Sequence, residues 1–181
     1  IVTEYIHGLK KDFSNSVIFL DIENSSPLKL RGKIDTIFSS NVFEHIDNDQ
    51  NAFNNCFQIL EPGGFLLLFV PARQEIYGKL DAEMGHFRRY TKWELRRKAE
   101  NAGFLVENIY YANLPGYFLW WGRGVLLNKL FGDKLKMSGQ DSKFAKIFDS
   151  IIVPFLHFER FIHPPFGQSL VLIARKEKIK N

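Results

Sequence analysis

Two neighbouring stretches decide the fold of this 181-residue chain. Residues 34–46 read IDTIFSSNVFEHI, and residues 60–68 read LEPGGFLLL. The first opens with an apolar run that ends in polar residues, which predicts a strand over 34–39, and the second turns into another apolar strand over 65–70. Between them, apolar residues recur at the spacing of one buried helical stripe. The order strand, helix, strand predicts right-handed crossovers and a parallel sheet.

The boundaries of that helix are marked in the sequence. Asp47-Asn48-Asp49 offers its N-cap, and Pro62-Gly63-Gly64 stops it. Upstream, residues 3–13 have helical spacing, and residues 17–20 form a further apolar run that ends at Asp21. Such uninterrupted apolar runs are typical of strands that are covered on both faces.

The second half of the chain begins with a predicted functional loop over residues 71–90. Thr91, followed three residues later by Glu94, forms a capping box that starts a helix, and Gly103 closes it. Strands are predicted over 104–111 and 168–175, as an antiparallel pair. Two apolar helices lie between them, over 115–131 and 142–163, and either form a lid over a pocket or bury each other against the sheet.

The composition excludes several classes of protein. Apolar residues make up 45% of the chain and charged residues 24%, which suits a single globular domain. The net charge is +4, but the basic residues are spread among acids and no nucleic-acid module is recognisable, so we expect no nucleic-acid partner. The lone Cys56 excludes an internal disulfide and offers no metal cluster; we therefore predict no metal site and a cytoplasmic location.

Membrane contact is limited to the surface in this prediction. No apolar run reaches the roughly 18 residues that a spanning helix needs, because Arg123 and Lys129 interrupt the best candidate. Aromatic residues are frequent, at 15%, which favours a Phe-rich core or an apolar acceptor pocket. Trp120 and Trp121 beside Arg123 also suit a peripheral position at a membrane interface. No obligate protein partner is indicated.

The two stretches at 34–46 and 60–68, at this spacing, resemble the fourth strand and the L-x-P-G-G turn of class I S-adenosylmethionine-dependent methyltransferases. The resemblance implies an α/β fold, a Rossmann-like three-layer sandwich whose mostly parallel sheet has an antiparallel last strand. It also implies S-adenosylmethionine as the cofactor.

The cofactor contacts follow from the same resemblance. It implies that the Asp21 carboxylate takes the adenine amino group and that the Ile22 backbone amide meets a ring nitrogen. Ser39, Ser40 and Asn41 would edge the methionine part. The alternative is that Asp21 is a turn or cap residue before the polar segment that follows it.

Two parts of that family pattern are not found in the chain: a glycine-rich loop after the first strand and an acid after the second. We therefore expect an amino-terminally truncated domain over residues 1–181. Residues 1–75 would be the remaining cofactor half, and residues 76–181 the acceptor half with a helical lid around 115–163. We expect weak or no cofactor binding by this chain alone.

The acceptor side is predicted around residues 85–91, GHFRRYT, which loosely resemble the acceptor loop of ubiquinone-type (type 11) methyltransferases. His86 is the candidate base for a hydroxyl acceptor, because neutral imidazole can accept a proton at pH 7. The alternative is a structural histidine bonded to the loop. His45 either lies close to the pocket or ties down its own loop by hydrogen bonds.

Four further residues complete the predicted acceptor contacts: Arg88, Arg89, Tyr90 and Trp120. The two arginines suit a carboxylate or phosphate on the acceptor, although we expect one of them to pair with Asp81 or Glu83 instead. Tyr90 either contacts the acceptor or packs beneath the helix that Thr91 caps.

Methyl transfer to an oxygen of a small or lipid- or sugar-linked acceptor is the leading functional hypothesis. A binding protein that keeps the fold without catalysis is the second. A dinucleotide-dependent oxidoreductase is the third, and both the antiparallel last strand and the Pro62-Gly63-Gly64 turn argue against it.

Overall fold

A four-stranded sheet forms the centre of the part of the chain that the computed structural model describes, residues 20–24, 28–121, 159, 161–162 and 164–178. The strands lie side by side in the order β1-β2-β4-β3. Their bounds are Ile34–Ser40 (β1), Leu60–Pro71 (β2), Leu105–Ala112 (β3) and Ser169–Arg175 (β4).

The last strand runs against all the others. β1 pairs with β2 in parallel, while β4 is antiparallel to β2 on one side and to β3 on the other. β1, β2 and β3 therefore share one direction. This is the predicted α/β sheet with an antiparallel last strand, which is confirmed.

The Pro62-Gly63-Gly64 turn lies inside β2, whereas the sequence predicted a strand that starts only at Phe65. Ile34 is paired with Leu60 and Thr36 with Phe65, so residues 61–64 bulge out of the ladder. A Cβ atom on Gly64 would lie 2.8 Å from the backbone oxygen of Asp35, which explains why glycine stands at the close approach.

Four helices are present in the described residues: Asp49–Ile59 (α1), Lys79–Glu83 (α2), Lys92–Asn101 (α3) and Leu114–Trp120 (α4). Asn48 caps α1, accepting a hydrogen bond from the Asn51 amide at 3.2 Å. The capping box of α3 is formed as predicted, with Thr91 and Glu94 exchanging side-chain and backbone hydrogen bonds. Gly103 follows α3 with φ +102°, a conformation that favours glycine.

The predicted loop over residues 71–90 contains more structure than the sequence indicated. A 3-10 turn spans Gln74–Ile76, and α2 follows. The Asp81 carboxylate accepts a hydrogen bond from the Gly78 amide at 3.0 Å and so closes the first turn of α2. Five residues are too short a segment for a helical period to be visible in the sequence.

The core lies between one face of the sheet and helices α1 and α3. Leu66, Leu68 and Val70 of β2 are at most 1% exposed, and so are alternate residues of β4. Phe53 from α1 and Leu95 from α3 are fully buried against them. The opposite face of β2, with Phe65, Leu67 and Phe69, is half-buried.

Several predicted elements fall outside the described residues: the helix over 3–13, the strand over 17–20 apart from Leu20, and the two apolar helices except for α4, Trp121 and a few residues near 160. None of the described helices has the length and apolar character that membrane crossing requires.

Candidate active site

The residues predicted to edge the cofactor stand where β1 ends. Ser39 and Ser40 are its last two residues, and Asn41 follows in the left-handed region with φ 51°. The Asn41 amide donates to the Phe69 carbonyl of β2 at 2.8 Å, which holds this turn against the neighbouring strand. In sheets of this kind ligands bind outside the carboxyl ends of the parallel strands.

Asp21 is exposed and forms a turn. One carboxylate oxygen accepts from the Glu23 and Asn24 amides at 3.0 Å each, and the other accepts from the Asn24 side chain at 3.1 Å. The hydrogen bonds from Asn24 lower the pKa of Asp21. The neighbouring Ile22 carbonyl accepts from Asn55 of α1 at 2.7 Å. The turn alternative for Asp21 is therefore present, and the adenine contacts of Asp21 and Ile22 stay a prediction.

Glu44 is a site residue that the sequence analysis did not single out. It lies in the short 3-10 turn Phe43–His45 and is fully buried. Neither carboxylate oxygen has a hydrogen-bond partner within the described residues. Burial raises the pKa of Glu44, and the nearby histidines and Arg89 oppose that shift. A buried, unpartnered carboxylate is costly, so its presence beside His45 and His86 suggests a functional role.

His86 faces that carboxylate. Its Nδ1 lies 3.0 Å from Asp81 Oδ1, and its Nε2 lies 4.0 Å from Glu44 Oε1. Because a carboxylate is the acceptor, we place the ring proton on Nδ1, which leaves a lone pair on Nε2 of the neutral ring. The His86 side chain is 10% exposed, so the ring is mostly buried and a small part of it is accessible.

His45 packs edge-to-face on His86, with the ring centroids 4.7 Å apart. Its Nδ1 lies 3.2 Å from the carbonyl of Gly85, which is the loop-tying interaction weighed in the sequence analysis. A carbonyl can only accept, so the neutral His45 ring also carries its lone pair on Nε2.

Arg89 forms the internal ion pair that was expected of one of the two arginines. Its Nε donates to Asp81 Oδ1 at 2.8 Å, and its side chain is 1% exposed. A second bond, to the Ala72 carbonyl, fixes it to the end of β2. Arg89 therefore supports the loop and orients the partner of His86, and almost none of its side chain is open to solvent.

Tyr90 is also a buried support. Its ring is 1% exposed beneath α3, and its hydroxyl lies 2.7 Å from Asp49 Oδ2. The same Asp49 carboxylate pairs with Arg88 at 2.9 Å and with Lys98 at 2.6 Å. Of the loop residues predicted to contact the acceptor, Arg88 keeps the most access, with 24% of its side chain exposed.

A cleft of about 480 Å³ lies next to Asp49 and the 88–90 loop, and Glu44, His45 and His86 are not among the residues that line it. Its ten lining side chains are mostly polar or charged: Asp47, Asn48, Asp49, Gln50, Gln74, Arg88, Arg89, Tyr90, Glu94 and Lys98. The sequence indicated an apolar acceptor pocket, so the character of this cleft differs from the expectation. The cause is local: the first turn of α1 and the 88–90 loop both present charged groups here. Trp120 ends α4, and its side chain lies outside the described residues.

The chain is an α/β protein with polar residues at the carboxyl end of β1 and an oriented histidine near it. Solved structures have the same fold. The methyltransferase in a complex with the Haloferax volcanii Trm112 methyltransferase activator matches over 98% of this chain and 69% of its own, with TM-score 0.57 and 14% identity. An Archaeoglobus fulgidus SAM dependent methyltransferase matches over 93% and 72%, with TM-score 0.53 and 15% identity.

Sequence comparison is more specific. A family model described as "Methyltransferase domain" matches residues 9–109, more than half of the chain. This chain belongs to that methyltransferase family, which confirms the resemblance drawn from residues 34–46 and 60–68. A Mycolicibacterium smegmatis protein named "Probable S-adenosylmethionine-dependent methyltransferase" is 31% identical over 77 residues, which span 41% of this chain and 30% of that relative.

Proposed function

We propose that the protein transfers a methyl group from S-adenosylmethionine to an oxygen atom of a small or lipid- or sugar-linked acceptor. The observation that supports this most directly is the oriented His86, with Asp81 behind its Nδ1 and Glu44 4.0 Å from its Nε2. A hydroxyl acceptor needs a group that takes its proton, and a neutral imidazole with a fixed tautomer is suited to that task.

The residues at the strand ends fit S-adenosylmethionine, which supplies an activated methyl group when bound. Asp21 is exposed, and one of its oxygens accepts a single hydrogen bond within the described residues, so it can accept another from the adenine amino group. Ser39, Ser40 and Asn41 offer polar groups at the end of β1 for the methionine part. These residues bind and orient the donor.

His86 handles the proton of the acceptor in this proposal. His86 Nε2 would take the proton of the acceptor oxygen, while bound S-adenosylmethionine would supply the methyl group, whose bond to sulfur breaks as the bond to oxygen forms and leaves S-adenosylhomocysteine. The imidazolium that results is stabilised by Asp81 on one side and by the Glu44 carboxylate on the other. Arg88, at the edge of the polar cleft, binds an anionic group of the acceptor.

A calorimetric titration with S-adenosylmethionine tests the donor site. We expect Asp21→Ala to weaken binding at least about tenfold, the value of one hydrogen bond to a charged group. Asp35→Ala is the matched control, because Asp35 is exposed near the other end of β1. Equal affinity in the two variants would remove Asp21 from the donor site. The same titration of the unmodified 181-residue chain tests the expectation that it binds S-adenosylmethionine weakly or not at all.

A methyl-transfer screen over hydroxyl acceptors tests the reaction. We expect His86→Ala to lower kcat by about 10²–10⁴-fold, the usual contribution of a general base, with the affinity for the donor unchanged. A fall in donor affinity with no change in kcat would instead make His86 part of the donor site.

The proposed location is the cytoplasm, with peripheral contact to membranes that present a lipid-linked acceptor. Exposed apolar side chains after β3 and before β4 support this: Trp121 is 42% exposed, Phe161 70% and Ile162 48%. Sedimentation with anionic vesicles at low salt is the test, and failure to sediment would contradict the membrane contact without affecting the proposed reaction.

A further inference from the structure

Glu44, His45 and His86 form a cluster in which every group accepts. One ring nitrogen from each histidine and one Glu44 oxygen lie within 4.8 Å of one another. Both Glu44 oxygens are buried and lack a hydrogen-bond partner among the described residues. Among these atoms, His86 Nε2 lies 4.0 Å from Glu44 Oε1.

The surroundings fix this arrangement. The Nδ1 atoms of the two histidines are taken up by the Gly85 carbonyl and the Asp81 carboxylate, so both lone pairs lie on Nε2. In metal proteins, a ligating histidine almost always donates its other ring N–H to a carboxylate or a backbone carbonyl, which sets the tautomer. Both of those partners occur here.

The charge balance points the same way. Arg89 lies against Asp81 in a buried pair, so the two charges offset each other. The Glu44 carboxylate then leaves the cluster one negative charge in excess when it is ionised. An ion-sized cation would satisfy that charge and the two lone pairs together.

We propose that Glu44, His45 and His86 bind a divalent transition-metal cation. Two imidazoles and one carboxylate suit Zn²⁺, Mn²⁺, Fe²⁺ or Co²⁺ better than Mg²⁺ or Ca²⁺, which prefer oxygen ligands alone. Ligands of one such ion lie roughly 3–4 Å apart, given bonds of about 2.1 Å. The 4.0 Å between His86 Nε2 and Glu44 Oε1 is at that limit, and the 4.8 Å spread of the three ligand atoms has to shorten by side-chain rotation when an ion binds.

This inference goes beyond the proposed function and gives His86 a different role, because His86 would bind the ion through Nε2 in place of taking the proton of the acceptor. A cation at these residues would hold an acceptor oxygen directly. The cluster departs from the sequence-based prediction of no metal site, which considered the lone cysteine and did not consider that Glu44-His45 and His86 would meet across forty residues.

The experiment is a calorimetric titration of the chelator-treated protein with Zn²⁺, and with Co²⁺ followed by visible absorption, without methyl donor or acceptor. We expect one site per chain, with Co²⁺ bands that indicate nitrogen and oxygen ligands. Glu44→Gln and His45→Gln should each weaken binding at least tenfold. Glu61→Gln is the matched control, because Glu61 is an exposed glutamate on the bulge of β2.

Glu44→Gln keeps the size of the side chain, and far-UV circular dichroism establishes that it folds. If it does not fold, His45→Gln decides, because His45 is exposed and its replacement leaves the core intact. Absence of binding would overturn the proposal. Binding that both variants leave unchanged would also overturn it and would assign the bound metal to other histidines. Cation binding without methyl transfer would contradict only the proposed function, and methyl transfer without cation binding only this inference.

Discussion

Replacement of Arg89 by methionine tests the buried ion pair behind the site. Methionine fills a similar volume but leaves Asp81 without its countercharge and the Ala72 carbonyl without a donor. Removing one partner of a buried pair costs about 3–5 kcal/mol. Asp81 keeps hydrogen bonds from Gly78 and His86, so we expect the lower end, about 3 kcal/mol.

Urea unfolding of the wild type and the variant measures the loss in free energy of unfolding. In a thermal melt of a chain of this length, a loss of 3 kcal/mol corresponds to a fall in Tm of about 6–12 °C. Arg88→Met is the matched control. Arg88 is 24% exposed, and Asp49 keeps Lys98 and Tyr90 as partners, so the control should lose about 1 kcal/mol or less. If Arg89→Met stays within 1 kcal/mol of the wild type, or if both variants lose the same amount, the assignment of Arg89 as a buried support is wrong.

Three further results are expected. Tyr90→Phe should lower the free energy of unfolding by about 1–3 kcal/mol, because Asp49 loses a buried donor; an unchanged urea midpoint would show that its other partners suffice. Burial raises the pKa of Cys56 to about 12, so the reactive thiolate is scarce at pH 8. A disulfide reagent should therefore label the folded chain at least about a hundredfold more slowly than the chain unfolded in guanidinium, and equal rates would place Cys56 at the surface. Gly64→Ala should lower Tm strongly and Gly78→Ala only slightly, because an added Cβ atom would lie 2.8 Å from the nearest backbone atom at Gly64 and 4.0 Å from it at Gly78. Thermal melts in which Gly78→Ala loses more Tm than Gly64→Ala would contradict the close approach at Gly64.

Local signals in the sequence predicted the elements that depend on neighbouring residues. The Thr91 and Glu94 capping box and the Asn48 cap require only residues three apart, and both are formed. The β1 strand was correct to within one residue, because an apolar run that ends in polar residues marks its own boundary. The bulge in β2 was not predicted, since it depends on how β2 meets β1.

The site was predicted only in part, because its geometry joins distant segments. His86 was chosen for its chemistry, but nothing near it in sequence shows that Glu44 would be its neighbour. The burial of Glu44 comes from the 78–90 loop folding over the end of β1. Arg89 and Tyr90 carry polar groups that the sequence suggested for the acceptor, whereas their partners, Asp81 and Asp49, draw both side chains inward.

The position of β4 has a consequence for biosynthesis. Residues 169–175 form β4, which lies between β2 and β3 and is the only link between them in the described sheet. β2 and β3 therefore cannot be joined before β4 has left the ribosome. Until then β2 has an unpaired edge, and so does β3. We expect the nascent chain to depend on protection from association with other chains during this interval, and the sheet to close only after translation has passed residue 175.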